Sequence, residues 1–181
     1  NLAMAKLGAK GGATVSWTAD QGGPGKPWVL AIDGRGQELA TGVPALDHLL
    51  GPSPRLEARG GLAGGVLALD RASLDGAALH ATSQGRADIK GPLKLDLGWS
   101  AEGPFRFGPL EITGKARGTG TLSGTLVEPR ADLAANFEAI DIPKLPLTAA
   151  RLTLTLQKGG QSNLGAFSLN ASSAYGPASA R

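Results

Sequence analysis

Apolar and polar residues alternate one by one in short segments along almost the whole chain. Residues 131–139 read ADLAANFEA and residues 152–156 read LTLTL, and the same alternation recurs at 13–19 and 93–99. Because successive side chains of a β-strand point to opposite faces, each segment predicts a strand with one apolar and one solvated face. Such strands are typical of antiparallel sheets.

The composition points the same way. The 181 residues include 28 glycines and 12 prolines, which disfavour helix interiors and mark turns. Hydrophobic residues make up 41% and charged residues only 18%, the reverse of the balance in disordered chains. The predicted fold is therefore all-β, with roughly a dozen strands at a spacing of ~4.8 Å. An open sheet of that width is expected to curl or to split.

One segment breaks the alternation and predicts a short helix at 44–50. Pro44 suits the first helical position and Gly51 suits the C-terminal cap. Leu46, Leu49 and Leu50 follow the i, i+3, i+4 spacing of one helix face. We expect this single amphipathic helix to plug or edge the sheet.

The domain organisation expected from the sequence is one β-segment over residues 1–181. Neither end carries a starting or closing signal, so the chain is interpreted as a fragment of a longer protein. No apolar run approaches the ~20 residues that span a bilayer, and no signal peptide is visible. Residues 1–39 are expected to form strands of a preceding unit.

Residues suited to catalysis or metal binding are few. The chain has no cysteine, which excludes disulfides and thiolate sites, and its two histidines, His48 and His80, lack closely spaced further ligands. Residues 81–85, ATSQG, differ from the G-x-S-x-G nucleophile elbow at Ala81. We therefore expect no catalytic site, no cofactor and no metal, and the protein is predicted not to be an enzyme.

The sequence also predicts that the protein does not bind nucleic acid. The formal net charge is only +3, aromatic residues make up 4%, and no basic tract occurs. Single-stranded or duplex nucleic acid would require clustered cations, often with interleaved aromatic rings.

The apolar face of the predicted strands is the informative feature. The three tryptophans and four phenylalanines are all in phase with apolar neighbours. Two interpretations fit this pattern: a closed sandwich core, which periodicity alone favours, or an open trough whose apolar face accepts acyl chains. Each buried CH₂ would contribute ~0.8 kcal/mol in the trough. Periodicity does not separate the two, since both need one apolar face.

A family resemblance favours the trough. Residues 114–133, GKARGTGTLSGTLVEPRADL, resemble the phrase G-x-G-x-L-x-G-T-L-x-x-P-x-x-x-L of the TamB family (translocation and assembly module subunit), within the AsmA-like superfamily. Residues 140–156 look like the family's next element, and residues 43–51 with 54–56 are similar to a short helix of alphaproteobacterial members. Residues 67–80 also fit, so the resemblance covers residues 40–181.

The resemblance implies a long periplasmic protein, anchored in the bacterial inner membrane by a helix outside this segment. It implies a U-shaped groove, the β-taco, with an apolar lining. Family members are linked to outer-membrane biogenesis and protein secretion with the outer-membrane barrel TamA, and to phospholipid transport. A chaperone-like groove for β-rich outer-membrane or autotransporter clients, and a structural β-solenoid of an adhesin passenger, remain as alternatives.

The residues expected to line the groove share the apolar side of their predicted strands. They are Val15, Trp17, Trp28, Leu30, Leu95, Leu97, Trp99, Phe105, Phe107, Leu133, Phe137, Leu152, Leu154, Phe167 and Leu169. Thr, Ser, Asp and Lys at the intervening positions are expected to face water. Phospholipid acyl chains are the expected ligand.

Overall fold

A computed structural model describes residues 10–107, 110–140, 147–159, 162–173 and 175–180, and they form thirteen strands and one helix. The strands are β1 Lys10–Gln21, β2 Trp28–Ala40, β3 Arg55–Ala63, β4 Val66–Asp75, β5 Leu79–Asp88, β6 Pro92–Glu102, β7 Phe105–Phe107, β8 Leu110–Ile112, β9 Lys115–Thr125, β10 Pro129–Ile140, β11 Leu147–Gly159, β12 Ser162–Ser173 and β13 Gly176–Ala180. The helix is α1, Pro44–Leu50.

Eleven of the strands form one antiparallel sheet. Their spatial order is β1-β2-β3-β4-β5-β6-β9-β10-β11-β12-β13, so almost every strand pairs with its neighbour in sequence. The sheet is curled and unclosed, and β1 and β13 are its two edges. The predicted all-β, curled antiparallel fold is confirmed.

The strands β7 and β8 pair only with each other, as a separate two-stranded sheet. Chain order would place them between β6 and β9, but β6 pairs with β9 directly, from Pro92 opposite Thr125 to Glu102 opposite Lys115. Because β7 and β8 have three residues each, pairing with either of them would give β6 or β9 far fewer backbone hydrogen bonds than the β6–β9 pairing does. The hairpin is therefore excluded from the main sheet.

The helix α1 lies at one end of the strands. Hydrogen bonds join it to Thr41, which precedes it in the chain, and to the turn between β4 and β5. Asp47 accepts hydrogen bonds from the backbone N–H and the hydroxyl of Thr41, at 2.5 and 2.8 Å. The backbone N–H groups of Ala77 and Ala78 donate to the C=O groups of Leu50 and Leu49. The predicted boundaries are confirmed, since Pro44 begins the helix and Gly51 caps it with φ of 66°.

The buried core consists mainly of small side chains. Ala101, Ala116, Leu147, Ala150 and Ala171 form one buried cluster. Against it pack partly buried apolar residues that include Leu49 of α1, Trp99 and Phe137. No large side chain of the described residues is fully buried. The chain exposes 12258 Å², whereas a compact monomer of its 18.2 kDa mass would expose about 8,100 Å². The chain thus covers far less of its own surface than a closed domain does.

Candidate apolar binding face

The strand register joins apolar residues into rows that cross the sheet. Residues directly opposite each other in neighbouring strands share a face, so the registers can be followed from strand to strand. One row crosses all eleven strands and contains only apolar residues and glycine: Val15, Gly34, Leu56, Leu74, Ala81, Trp99, Gly118, Ala135, Leu152, Leu169 and Ala180.

Two further rows run beside the first on the same face. One crosses ten strands through Trp17, Ile32, Ala58, Ala72, Ser83, Leu97, Gly120, Leu133, Leu154 and Phe167. The other also crosses ten strands, through Ala19, Leu30, Gly60, Leu69, Gly85, Leu95, Leu122, Ala131, Leu156 and Gly165. We call the surface formed by these three rows the apolar face. It includes the flanking row of Trp28 and Leu93 on one side and the flanking row of Ala101, Ala116 and Phe137 on the other. Ser83 is its only polar member within the three rows.

Exposure of the apolar face varies along the sheet. Near the β1 edge, Val15 and Trp17 are 60% and 71% exposed, and Ile32 and Leu56 are also exposed. In the middle strands, by contrast, Leu93 is buried at 5%, and Leu95, Leu97 and Trp99 on the same face of β6 are half-buried. The face is therefore most open to a ligand near the β1 edge and most covered around β6.

Large side chains on the apolar face lie across glycines of the neighbouring strand. A Cβ built on Gly118 would stand 2.1 Å from Cε2 of Trp99, and one on Gly120 would stand 2.5 Å from Cδ2 of Leu133. These side chains lie nearly flat over the backbone because the opposite residue has none. The missing side chains make the surface smoother than the same rows would be with alanine at these positions.

Thirteen of the fifteen predicted lining residues lie on the apolar face: Val15, Trp17, Trp28, Leu30, Leu95, Leu97, Trp99, Leu133, Phe137, Leu152, Leu154, Phe167 and Leu169. Phe105 and Phe107 belong to the separate β7–β8 hairpin, and their side chains lie outside the described residues. A lipid-lining role for all fifteen stays a prediction.

Sequence reasoning missed several members of the apolar face. Leu56 and Leu74 belong to its rows, as do the glycines opposite the large side chains. Leu56 shares its side of β3 with the small residues Ala58 and Gly60, and an irregularity between Leu69 and Ala72 interrupts the alternation of β4 before Leu74. Cross-strand register, which joins both leucines to Val15, is the information that single-strand periodicity lacks.

The opposite face of the sheet is polar and contains exposed ion pairs. The Arg130 guanidinium donates to Asp132 at 2.8 and 3.0 Å, and the Thr155 hydroxyl donates to the same carboxylate at 2.8 Å. Hydrogen bonds from Arg130, and then from Thr155, lower the pKa of Asp132. Arg55 bridges Asp33 and Glu57 in the same way. Such exposed pairs contribute little stability each, so this face is chiefly a solvated surface.

Shallow depressions cross the sheet between rows of polar residues. One, of about 520 Å³, is lined by residues of β6, β9, β10 and β11 that include Asp96, Thr121, Asp132 and Thr155. A second, of about 430 Å³, is lined by residues that include Arg71, Thr82 and Gln84. The polar side chains of the two linings are threonines and carboxylates, with Arg71, Ser83 and Gln84 in the second, and no nucleophile–base pair occurs among them.

The histidines make separate local contacts. His80 Nδ1 lies 2.5 Å from Oδ1 of Asp75, and His48 Nε2 lies 3.3 Å from the backbone oxygen of Glu102. In the described ranges no group of three His, Asp or Glu side chains is placed to hold a metal ion. None of the helices described there has the length and apolarity to cross a bilayer.

Comparison with known proteins does not assign the chain to a family. No protein-family model, no curated protein and no solved structure matches it.

Proposed function

We propose that the protein is a groove segment of a TamB-like bridge whose apolar face conducts phospholipid acyl chains between two membranes. The observation that carries this proposal is the continuity of the apolar rows across ten and eleven strands of an unclosed sheet. A closed sandwich would cover such rows with a second sheet. Here Val15 and Trp17 remain largely exposed.

The direction of the rows suits an extended chain of methylene groups. The rows run across the strands, and ten strand spacings of ~4.8 Å give a path of about 48 Å. An acyl chain lying along a row would exchange water for apolar contact at ~0.8 kcal/mol per CH₂. Because each row presents similar side chains at every step, the chain could slide without crossing a buried polar group other than the Ser83 hydroxyl.

The proposed role requires no covalent chemistry, and we propose that the segment is not an enzyme and does not bind nucleic acid. The proposed location of this segment is the periplasm. We propose that a helix outside the segment anchors the full-length protein in the inner membrane. The full-length protein would act with a TamA-like barrel in outer-membrane biogenesis. The resemblance of residues 43–51 and 114–133 to the TamB family supports this proposal. Residues 141–146, within the third stretch, lie outside the described residues.

The solenoid alternative is not proposed. A β-solenoid is built from parallel coils, whereas every pairing in the main sheet is antiparallel.

Intrinsic fluorescence offers a direct test, because all three tryptophans of the chain, Trp17, Trp28 and Trp99, lie on the apolar face. Phospholipid brominated in its acyl chains, presented in mixed micelles, is expected to quench them, while the same lipid without bromine is not. Ile32→Asp, directly opposite Trp17, is expected to reduce quenching, and Thr18→Asp on the opposite face is the matched control. Equal quenching in both variants, or no quenching in the wild type, would contradict the proposal.

A further inference from the structure

Two arginines of neighbouring strands face each other on the polar face of the sheet. Arg59 of β3 lies directly opposite Arg71 of β4, and both side chains are exposed. Like charges directly opposite each other in a sheet are destabilising. Arg35 and Arg55 form a similar pair, but Asp33 lies within 3.6 Å of both guanidinium groups. Among the described residues, no carboxylate makes an ion pair with Arg59 or Arg71.

A β-bulge lies beside this second, unneutralised pair. Asp70 and Arg71 of β4 together lie opposite the single residue Gln84 of β5, and Asp70 has no partner in β3. Bulges bend their strand, re-aim side chains and are frequent beside functional sites. The bulge therefore sets Arg71 at an irregular point of the sheet, next to one of the depressions of the polar face.

That depression, of about 430 Å³, extends from β4 to β6, and Arg71 lines its β4 side. The other polar side chains in its lining include those of Thr82, Gln84 and Asp96. Gly98, directly opposite Thr82, has no side chain to fill the space between them. Hydroxyl, amide and carboxylate groups donate or accept hydrogen bonds with alcohol groups. The depression therefore joins a cation on one side to hydrogen-bonding groups on the other.

We propose that the Arg59–Arg71 pair and the adjoining depression bind a phosphate ester of a compound rich in hydroxyl groups, such as a sugar phosphate. Each planar guanidinium offers two parallel N–H donors to phosphate oxygens, so two facing arginines hold one phosphate from both sides. The bound anion also removes the repulsion between the two arginines. The hydroxyl groups of the ligand lie against Thr82, Gln84 and Asp96. The site is on the face opposite to the proposed acyl-chain path and does not rest on it.

The charges around the depression fit a ligand with one anionic end. Asp70 and Asp96 belong to the lining, where carboxylates accept hydrogen bonds from hydroxyl groups but repel a second phosphate. Glu57, in the row on the other side of Arg59, is already in an ion pair. Arg86 and Lys94, opposite each other in the next row, lie outside the lining and add positive potential. These charges favour a sugar phosphate over a polyphosphate and over an uncharged sugar.

An NMR chemical-shift titration with glucose 6-phosphate tests the site, and glucose and inorganic phosphate serve as the two halves of the ligand. The ester is expected to shift the backbone amides of Arg59, Arg71 and Gln84 and to bind at least tenfold more tightly than either half. Phosphatidylinositol in phosphatidylcholine vesicles presents the same chemistry as a lipid headgroup, and pure phosphatidylcholine vesicles are its control. Binding to the free ester or to phosphatidylinositol supports the site and identifies the source. Binding to neither, or equal binding of inorganic phosphate and the ester, would overturn the proposal.

Substitution of the arginines tests their role separately. Arg59→Gln and Arg71→Gln are each expected to weaken binding about tenfold, because each leaves the phosphate with one guanidinium. Both variants should melt at or above the wild-type temperature, since a repulsive pair is removed. Arg35→Gln is the matched control on the same face, where Asp33 already neutralises the guanidinium. A loss of binding in Arg35→Gln equal to that in Arg71→Gln would overturn the assignment.

Discussion

The indole of Trp99 lies over the backbone of Gly118, the residue directly opposite it in the register of β6 and β9. A Cβ at position 118 would fall 2.1 to 2.3 Å from three atoms of the ring. The ring can lie flat only because residue 118 has no side chain. This pair sits in the row that crosses all eleven strands, next to the buried alanine cluster.

Gly118→Ala is therefore expected to lower the free energy of unfolding by about 1–3 kcal/mol, because the indole must leave its position in a packed row. Urea unfolding followed by far-UV circular dichroism measures the change. Gly61→Ala is the matched control, since a Cβ there would meet its nearest atom, the backbone oxygen of Trp28, at an ordinary 3.5 Å. Equal destabilisation by both substitutions would contradict the role given to Trp99.

Leu93→Ala is expected to be the more costly of two leucine truncations on the apolar face. Leu93 is 5% exposed, so its loss should lower the free energy of unfolding by about 2–4 kcal/mol. Leu156 is 46% exposed, and its truncation should lower it by about 1 kcal/mol or less. Chemical denaturation of both variants makes the comparison. A similar loss at both positions would mean that the apolar face is covered evenly.

Ser83→Ala is expected to raise stability. The Ser83 hydroxyl is buried without a hydrogen-bond partner in the part of the chain that the structure describes. Since an unsatisfied buried hydroxyl carries a desolvation penalty, its removal should stabilise the fold by about 1 kcal/mol. Ser168→Ala is the control, because the Ser168 hydroxyl accepts a hydrogen bond from Thr153. A destabilised Ser83→Ala variant would show that the hydroxyl has a partner after all.

Attachment of α1 to the sheet is expected to weaken in acid. The hydrogen bonds from Thr41 lower the pKa of Asp47 below its usual value of 3.8. A lowered pKa means that the carboxylate stabilises the fold above its unfolded-state pKa, and that this contribution is lost as pH falls through the folded-state pKa. Asp47→Asn should remove the contribution at neutral pH.

Hydrogen exchange of the amides of Gly51 and Ala78, which bond to α1, reports this attachment. Their protection should fall in Asp47→Asn at pH 6, and Thr41→Val should give part of the same loss. The wild type should approach the Asp47→Asn protection only in acid. Unchanged protection in Asp47→Asn would refute the role of this carboxylate.

Local signals were sufficient to predict the strands and the helix. Alternation marks β10 and β11 because each strand has one covered and one solvated face, and Pro44 and Gly51 bound α1 through their own backbone preferences. The sequence analysis places Phe105 and Phe107 on the apolar side of a predicted strand, but nothing local shows that this strand leaves the main sheet. That outcome depends on the competing pairing of β6 with β9.

Most of the candidate site depends on information that single strands do not contain. The prediction that Trp17, Trp99 and Leu154 share a face follows from alternation once the strands are paired. The continuity of each row depends on the register of every pair, including the irregular ones between β3, β4 and β5. The contact of Trp99 with Gly118 is likewise set by cross-strand register.

Photo-cross-linking at position 154 is the most direct test of the proposed lipid path. A photo-reactive amino acid replaces Leu154 on the apolar face in one variant and Thr153 on the polar face in another, within the full-length protein in its native membranes. The proposal predicts phospholipid adducts at 154 and few at 153. Adducts at 154 that contain polypeptide and never lipid, or equal lipid adducts at both positions, would contradict it.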